Sequence, residues 1–198
     1  MSMEIVLIHG ANASNVSWNW VGSHIKNSTR LSWGMMTAPE DNLEDMESQL
    51  PEKCIVMGHS MGGLYAWHLA NRNPEKVVAG ISIATPWGGS IQASLWKMVN
   101  VNIPWLKMIS RLEQWTAEPR LLEPPVSWTN VVCTHGFDLF GVGANDGVVT
   151  VQSQRELHSP TKEIVLDYGH NTVLQSPELV DIVQSVNRRF SRQTVAVG

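Results

Sequence analysis

Short apolar, β-branched runs recur along the chain, and between most of them lie stretches whose apolar positions fall three or four residues apart. Alternation of that kind predicts strands joined by crossover helices on a parallel sheet. The strands are expected at Ile5 to Ile8, roughly Leu31 to Met36, Cys54 to Met57, Val77 to Ile83, Val131 to Cys133 and Ile164 to Leu166. Their near-continuous apolarity suits strands covered on both faces. Helices are expected at about Trp18 to Lys26, Leu43 to Leu50, Met61 to Asn71, Val149 to Leu157 and Pro177 to Phe190. The last is the best marked: Ser176 can cap it, Pro177 suits its first turn, and Leu179, Ile182, Val183 and Val186 share one face. The reading is one α/β domain over residues 1–198, with about six mostly parallel strands and helices on both faces.

One interval departs from the alternation. Trp87, Trp96, Trp105, Trp115 and Trp128 all fall between the fourth and fifth expected strands, in a chain with 9 Trp against 3 Phe and 2 Tyr. Pro104 can open a helix that puts Trp105, Met108, Ile109 and Leu112 on one face, and the prolines at 119, 124 and 125 end it. The segment of about 87–128 is read as a helical, lid-like insertion, with Trp87, Trp96, Met98, Trp105 and Met108 as candidate pocket residues. Plain core packing is the alternative, and such an apolar patch can equally serve as a dimer interface or rest on a membrane surface.

Bulk composition narrows the function classes. A net charge of −4 with 16% charged residues leaves no basic stripe for nucleic acid. No apolar run approaches the length of a bilayer span, so no stable membrane insertion is expected. The first strand starts at once, without a charged leader, which reads as cytoplasmic. Cys54 and Cys133 lie in apolar runs without metal-ligand spacing and are expected to be free, buried thiols.

The candidate chemistry centres on Gly58-His59-Ser60-Met61-Gly62, between the third strand and the following helix. A G-x-S-x-G run in that context is the pattern of a nucleophile elbow, in which a sharp turn lifts a serine hydroxyl off the sheet. The alternative is a glycine-rich turn with an inert serine. Serine needs a base and a group to orient it. Of the 7 His, His170 is preferred, in a polar loop beyond the carboxyl end of the last strand, where sites on parallel sheets assemble. His59 adjoins Ser60 and should point away; His158 is the fallback. Asp146, in a glycine-rich turn after the fifth strand, is the preferred acid, followed by Asp138 and then Asp167. The N–H groups of Met61 and of Ala11, in His9-Gly10-Ala11, are the expected oxyanion donors.

Together Ile8-His9-Gly10-Ala11, Gly58 to Gly63, Ala84-Thr85-Pro86-Trp87-Gly88-Gly89-Ser90, Asn145-Asp146-Gly147-Val148-Val149 and Gly169-His170-Asn171 resemble the α/β-hydrolase superfamily, and within it small bacterial lipases and carboxylesterases. The resemblance implies an α/β-hydrolase fold, Ser60 as nucleophile, Asp146 as acid, His170 as base, Ala11 and Met61 as oxyanion hole, and a small-molecule ester or acyl substrate with no cofactor. Calcium-dependent members carry an aspartate two positions after the catalytic histidine; that position is Thr172 here, so no metal is expected. The expected activity is ester cleavage through an acyl-serine. Thioester cleavage or acyl transfer on the same triad, or ligand binding without catalysis, are the competing readings.

Overall fold

A computed structural model describes residues 2–89, 115–138, 141 and 143–195. Six strands, β1 (Glu4–Ile8), β2 (Ser28–Leu31), β3 (Cys54–His59), β4 (Val77–Ile83), β5 (Ser127–Cys133) and β6 (Lys162–Leu166), form one sheet in the order β2-β1-β3-β4-β5-β6. Every neighbouring pair is parallel. Successive strands therefore need crossovers, and helices α1 (Asn19–His24), α2 (Pro39–Ser48), α3 (Gly62–Arg72) and α6 (Pro177–Val195) supply them or flank the sheet. Two short helices, α4 (Ala117–Leu121) and α5 (Val151–Gln154), precede and follow β5.

Side chains alternate across each strand, which divides the core in two. On one face Val6, Ile8, Cys54 and Val56 pack with Leu43 and Met46 of α2 and with Leu64 and Tyr65 of α3. On the other, Ile5, Leu7, Ile55, Met57 and Ile81 pack with Trp18, Val21 of α1, and Leu179 and Val183 of α6. The chain lays β2 on one side of β1 and then returns to put β3 on the other. That reversal is a topological switch point, and the carboxyl edge at such a point is where sites on open parallel sheets assemble.

Most expected elements are found, with three differences. The second strand spans Ser28–Leu31 and not Leu31 to Met36, because the residues after Leu31 have other partners: Trp33 donates from Nε1 to the His9 carbonyl at 2.8 Å, and Asn42 brackets the backbone of Gly34. The helix expected over Val149 to Leu157 shrinks to one turn. Asp146 Oδ1 takes the Val149 N–H, Thr150 caps the turn through the Ser153 N–H, and the Gln154 carbonyl accepts from Asn130 Nδ2. A short helix forms at Ala117–Leu121, where Pro119 was expected to end one; it lies in the first turn, which tolerates proline. The C-terminal helix begins as expected, with Leu179 N–H on Ser176 Oγ at 3.2 Å, and runs on to Val195.

Trp87 and Trp128 bound the expected insertion, and both belong to the core. They are fully buried, meet edge to face at 6.4 Å, and send their indole N–H groups to Asn130 and Ser82. Trp115 packs on Tyr65 and His68 of α3. The other candidate pocket residues, Trp96, Met98, Trp105 and Met108, lie outside the described residues, as does the helix expected from Pro104.

Candidate active site

The end of β3 enters a turn that an ordinary side chain resists. Ser60 has φ of 54°, left-handed backbone that costs a non-glycine residue roughly 1–2 kcal/mol. It is held there by a hydrogen bond from its N–H to the Ile83 carbonyl of β4 at 2.8 Å, and by its own carbonyl accepting from Gly63 N–H at 2.9 Å. The glycines make the turn possible. A Cβ on Gly58 would run into the backbone of Gly62 and Gly63, and one on Gly62 into the carbonyls of Ile8 and His9. The two glycines of the G-x-S-x-G run are therefore sterically required, and the strand-to-helix turn between them is a tight one.

The loop after β1 passes directly over this turn: a Cβ on Gly10 would lie 2.9 Å from Ser60 Cβ. Ala11 follows in a tight turn whose next residue, Asn12, has φ of 53°. Met61, nearly buried, opens α3 in helical conformation. The two backbone stretches named as oxyanion donors thus flank Ser60 from β1 and from α3.

On the β5 and β6 side the structure joins the other two candidates. His170 Nδ1 lies 2.7 Å from Asp146 Oδ2. The two loops are also tied through the backbone, with His170 N–H on the Asp146 carbonyl at 2.8 Å. Asp146 is an acceptor on all four counts: Oδ1 receives the N–H groups of Val148 and Val149, and Oδ2 receives His170 and the side-chain amide of Gln154. In the neutral imidazole, an acceptor-only partner places the proton on Nδ1 and leaves Nε2 with its lone pair. Asp146 is 2% exposed while Ser60 and His170 are each 8%, so the acid is sealed and the other two still reach solvent.

His59 lies between the two halves. Its Nε2–H donates to the His170 carbonyl at 2.7 Å, and its ring is 4.8 Å from that of His170. Burial, then the neighbouring His170, push its pKa down to about 3, so it stays neutral and holds the His170 loop against β3. Ser60 Oγ and His170 Nε2 are not hydrogen-bonded in this structure, and such bonds often tighten only in the Michaelis complex.

The remaining candidates go elsewhere. Asp138 receives Gly143 N–H, and Asp167 pairs with exposed His135 at 3.4 Å. His68 bonds the Trp115 carbonyl, His9 stacks on Trp33, and His158 N–H meets the Pro119 carbonyl. Both cysteines are free and buried, and burial raises both thiols, Cys54 to about 12. Among the described residues no group of three or more His, Cys, Asp or Glu could hold a metal ion. No described helix is long and apolar enough to cross a membrane. Two contributors escaped the sequence reading: His59 was discounted for its position beside Ser60, and Gln154 carries no motif signal at all.

Comparison with known proteins bears on the fold and the family. The mature lipase BlEst2 of Bacillus licheniformis superposes with a TM-score of 0.71 over 93% of this chain and 91% of that one, at 15% identity, which is a likeness of fold. In sequence, 91 residues are 32% identical to the biotin biosynthesis bifunctional protein BioHC of Cellvibrio japonicus (strain Ueda107), over 40% of this chain and 18% of that protein. Another 32% match, over 96 residues, covers 43% of this chain and 22% of the phosphatidylcholine-sterol acyltransferase of Mus musculus. The chain thus spans about a fifth of the length of these relatives. A family model described as the alpha/beta hydrolase family matches residues 5–141, most of the chain and all of it from β1 through β5, and it shows that the chain belongs to the alpha/beta hydrolase family.

Proposed function

We propose that this protein is a serine ester hydrolase of the carboxylesterase or lipase-like kind, working through an acyl intermediate on Ser60. The observation that carries the reading is the buried 2.7 Å bond from His170 to Asp146, at the same carboxyl edge of the sheet as a serine held at φ 54°. In the reaction, His170 Nε2 takes the Ser60 proton as Oγ bonds to the substrate carbonyl carbon. The carbonyl oxygen becomes the oxyanion, received by the N–H groups of Ala11 and Met61. Collapse breaks the bond to the leaving oxygen, which takes the proton from His170 and departs as the alcohol. Water then gives a proton to His170 and its oxygen to the acyl carbon, releasing the acid and restoring Ser60. Asp146 holds the imidazole in the productive tautomer and stabilises the imidazolium between the two proton transfers.

Acyl transfer to an alcohol is the second reading, favoured by the 32% identity to a phosphatidylcholine-sterol acyltransferase. Both readings share the first half-reaction and differ in what attacks the acyl-serine. The test is turnover of p-nitrophenyl esters from acetyl to long-chain, with and without an added alcohol, and of matched acyl thioesters. Ester turnover that vanishes in Ser60→Ala is the expected result; product ester in place of free acid supports transfer, and faster thioester than ester turnover supports a thioesterase. Ester turnover retained in Ser60→Ala contradicts the proposal.

A further inference from the structure

We propose that Gln154 is a positioning residue for the acid of the triad, fixing the Asp146 carboxylate so that Oδ2 faces His170; this rests on the reading of Asp146 and His170 given above. Gln154 is fully buried, and its side-chain amide is hydrogen-bonded at both ends. β4 pairs with β5 as far as Ile83 and Val131, and Ala84 N–H still reaches the Val131 carbonyl. Beyond it β4 has turned away, while the N–H and C=O of Cys133 face the same edge. Gln154 takes the missing strand's place: Oε1 accepts the Cys133 N–H at 2.7 Å and Nε2 donates to the Cys133 carbonyl at 3.0 Å.

The same Nε2 lies 3.2 Å from Asp146 Oδ2 and 3.3 Å from the Val149 carbonyl. The amide thus links the end of β5 to the one carboxylate oxygen that also receives His170. With Oδ1 held by the N–H groups of Val148 and Val149, the carboxylate is gripped at both oxygens and cannot swing away from the imidazole. Gln154 is itself anchored from behind: its carbonyl accepts Asn130 Nδ2 at 2.8 Å, and Asn130 Oδ1 receives Ser82 and Trp87. A residue that served only to cap β5 would need the Cys133 contacts and nothing from Asp146.

Loss of the amide leaves Oδ2 to His170 alone and lets the carboxylate rotate. A single positioning hydrogen bond of this kind is worth up to about tenfold in turnover. The experiment combines two readouts on Gln154→Met, which keeps the side-chain length, and on Gln154→Asn, which keeps an uncharged amide but draws it back from Asp146 by one methylene, should the first variant fail to fold. The first readout needs no substrate: the downfield proton resonance of His170 Nδ1–H, assigned by its absence in His170→Ala, should shift and exchange faster with solvent in either variant. The second is a double-mutant cycle on ester turnover. Gln154→Met should lower kcat about tenfold with KM within about twofold, and should cost nothing further in an Asp146→Ala background. An unmoved Nδ1 proton, or an equal loss of kcat in both backgrounds, overturns the proposal and leaves Gln154 as a strand cap. Failure of the enzymatic reading looks different, since it would show as ester turnover surviving Ser60→Ala whatever the His170 proton does.

Discussion

The two halves of the site are held in place by opposite means. On the β3 side, Ser60 is fixed by exclusion: glycines at 58 and 62 allow backbones to approach where no Cβ fits, and the turn is strained as a result. On the β5 and β6 side, Asp146 and His170 are fixed by attraction, through four acceptor bonds to one carboxylate and a backbone bond between their loops. The first half is broken by adding atoms and the second by removing donors. Strain is tolerable at Ser60 because the ladder around it is buried and continuous, whereas Asp146 sits in a loop after β5 and needs its own bonds to have any defined position.

The largest expected contrast lies within the second half. Asp146→Asn should lower kcat by about three to four orders of magnitude, because an amide can offer His170 the wrong tautomer while leaving the packing intact. Asp138→Asn should leave turnover roughly unchanged, since that carboxylate receives Gly143 N–H and does not touch His170. Equal losses in the two variants would erase the distinction between them.

On the first half, Gly58→Ala should destabilise the fold by about 3 kcal/mol or more, because the atoms it meets are backbone and cannot move aside. The urea midpoint measures this, and a midpoint close to the parent's would mean that the elbow is looser than drawn.

His59 spans both halves, and pH probes it. Its pKa is about 3 in the fold, lowered first by burial and then by His170, against the ordinary histidine value of 6.5. Between those values the unfolded chain binds a proton that the folded protein refuses. Stability is therefore full above about pH 6.5 and falls as pH drops toward 3, by roughly 2 kcal/mol at pH 5 from this group alone. Burial lowers His9 and His68 in the same direction. Urea midpoints at pH 7 and pH 5 should differ accordingly, and His59→Gln should narrow the gap; a gap of the same size in that variant would assign the acid sensitivity elsewhere.

The smallest effect is expected at Trp87. Trp87→Phe removes the indole bond to Asn130, whose Oδ1 keeps Ser82, and should cost about 1 kcal/mol of stability with substrate preference unchanged. A changed acyl-chain profile would return Trp87 to the pocket.

How far the sequence could be read follows the same division. The strands that carry Ser60 and its neighbours are apolar on both faces, so their runs are continuous and nearly unmistakable; β4 begins and ends where the pattern puts it. The glycines around Ser60 are legible because close backbone approach leaves no other residue type possible. Attraction leaves a fainter trace. Asp146 is visible only through its Asn-Asp-Gly setting and its place in the order of the three residues, and Gln154 is one glutamine in a stretch that reads as an ordinary helix. β2 was misplaced because Trp33 and Met35 look like strand residues, while their partners, His9 and the Asn12 N–H, lie in a loop that only the fold brings near.

The most direct test of the central claim is the rate at which a fluorophosphonate labels the intact protein, followed by mass spectrometry. A single adduct on Ser60 is the expected result, absent from Ser60→Ala and formed far more slowly in His170→Ala. An adduct that persists in Ser60→Ala, or a Ser60 that does not react in the folded parent protein, would contradict it.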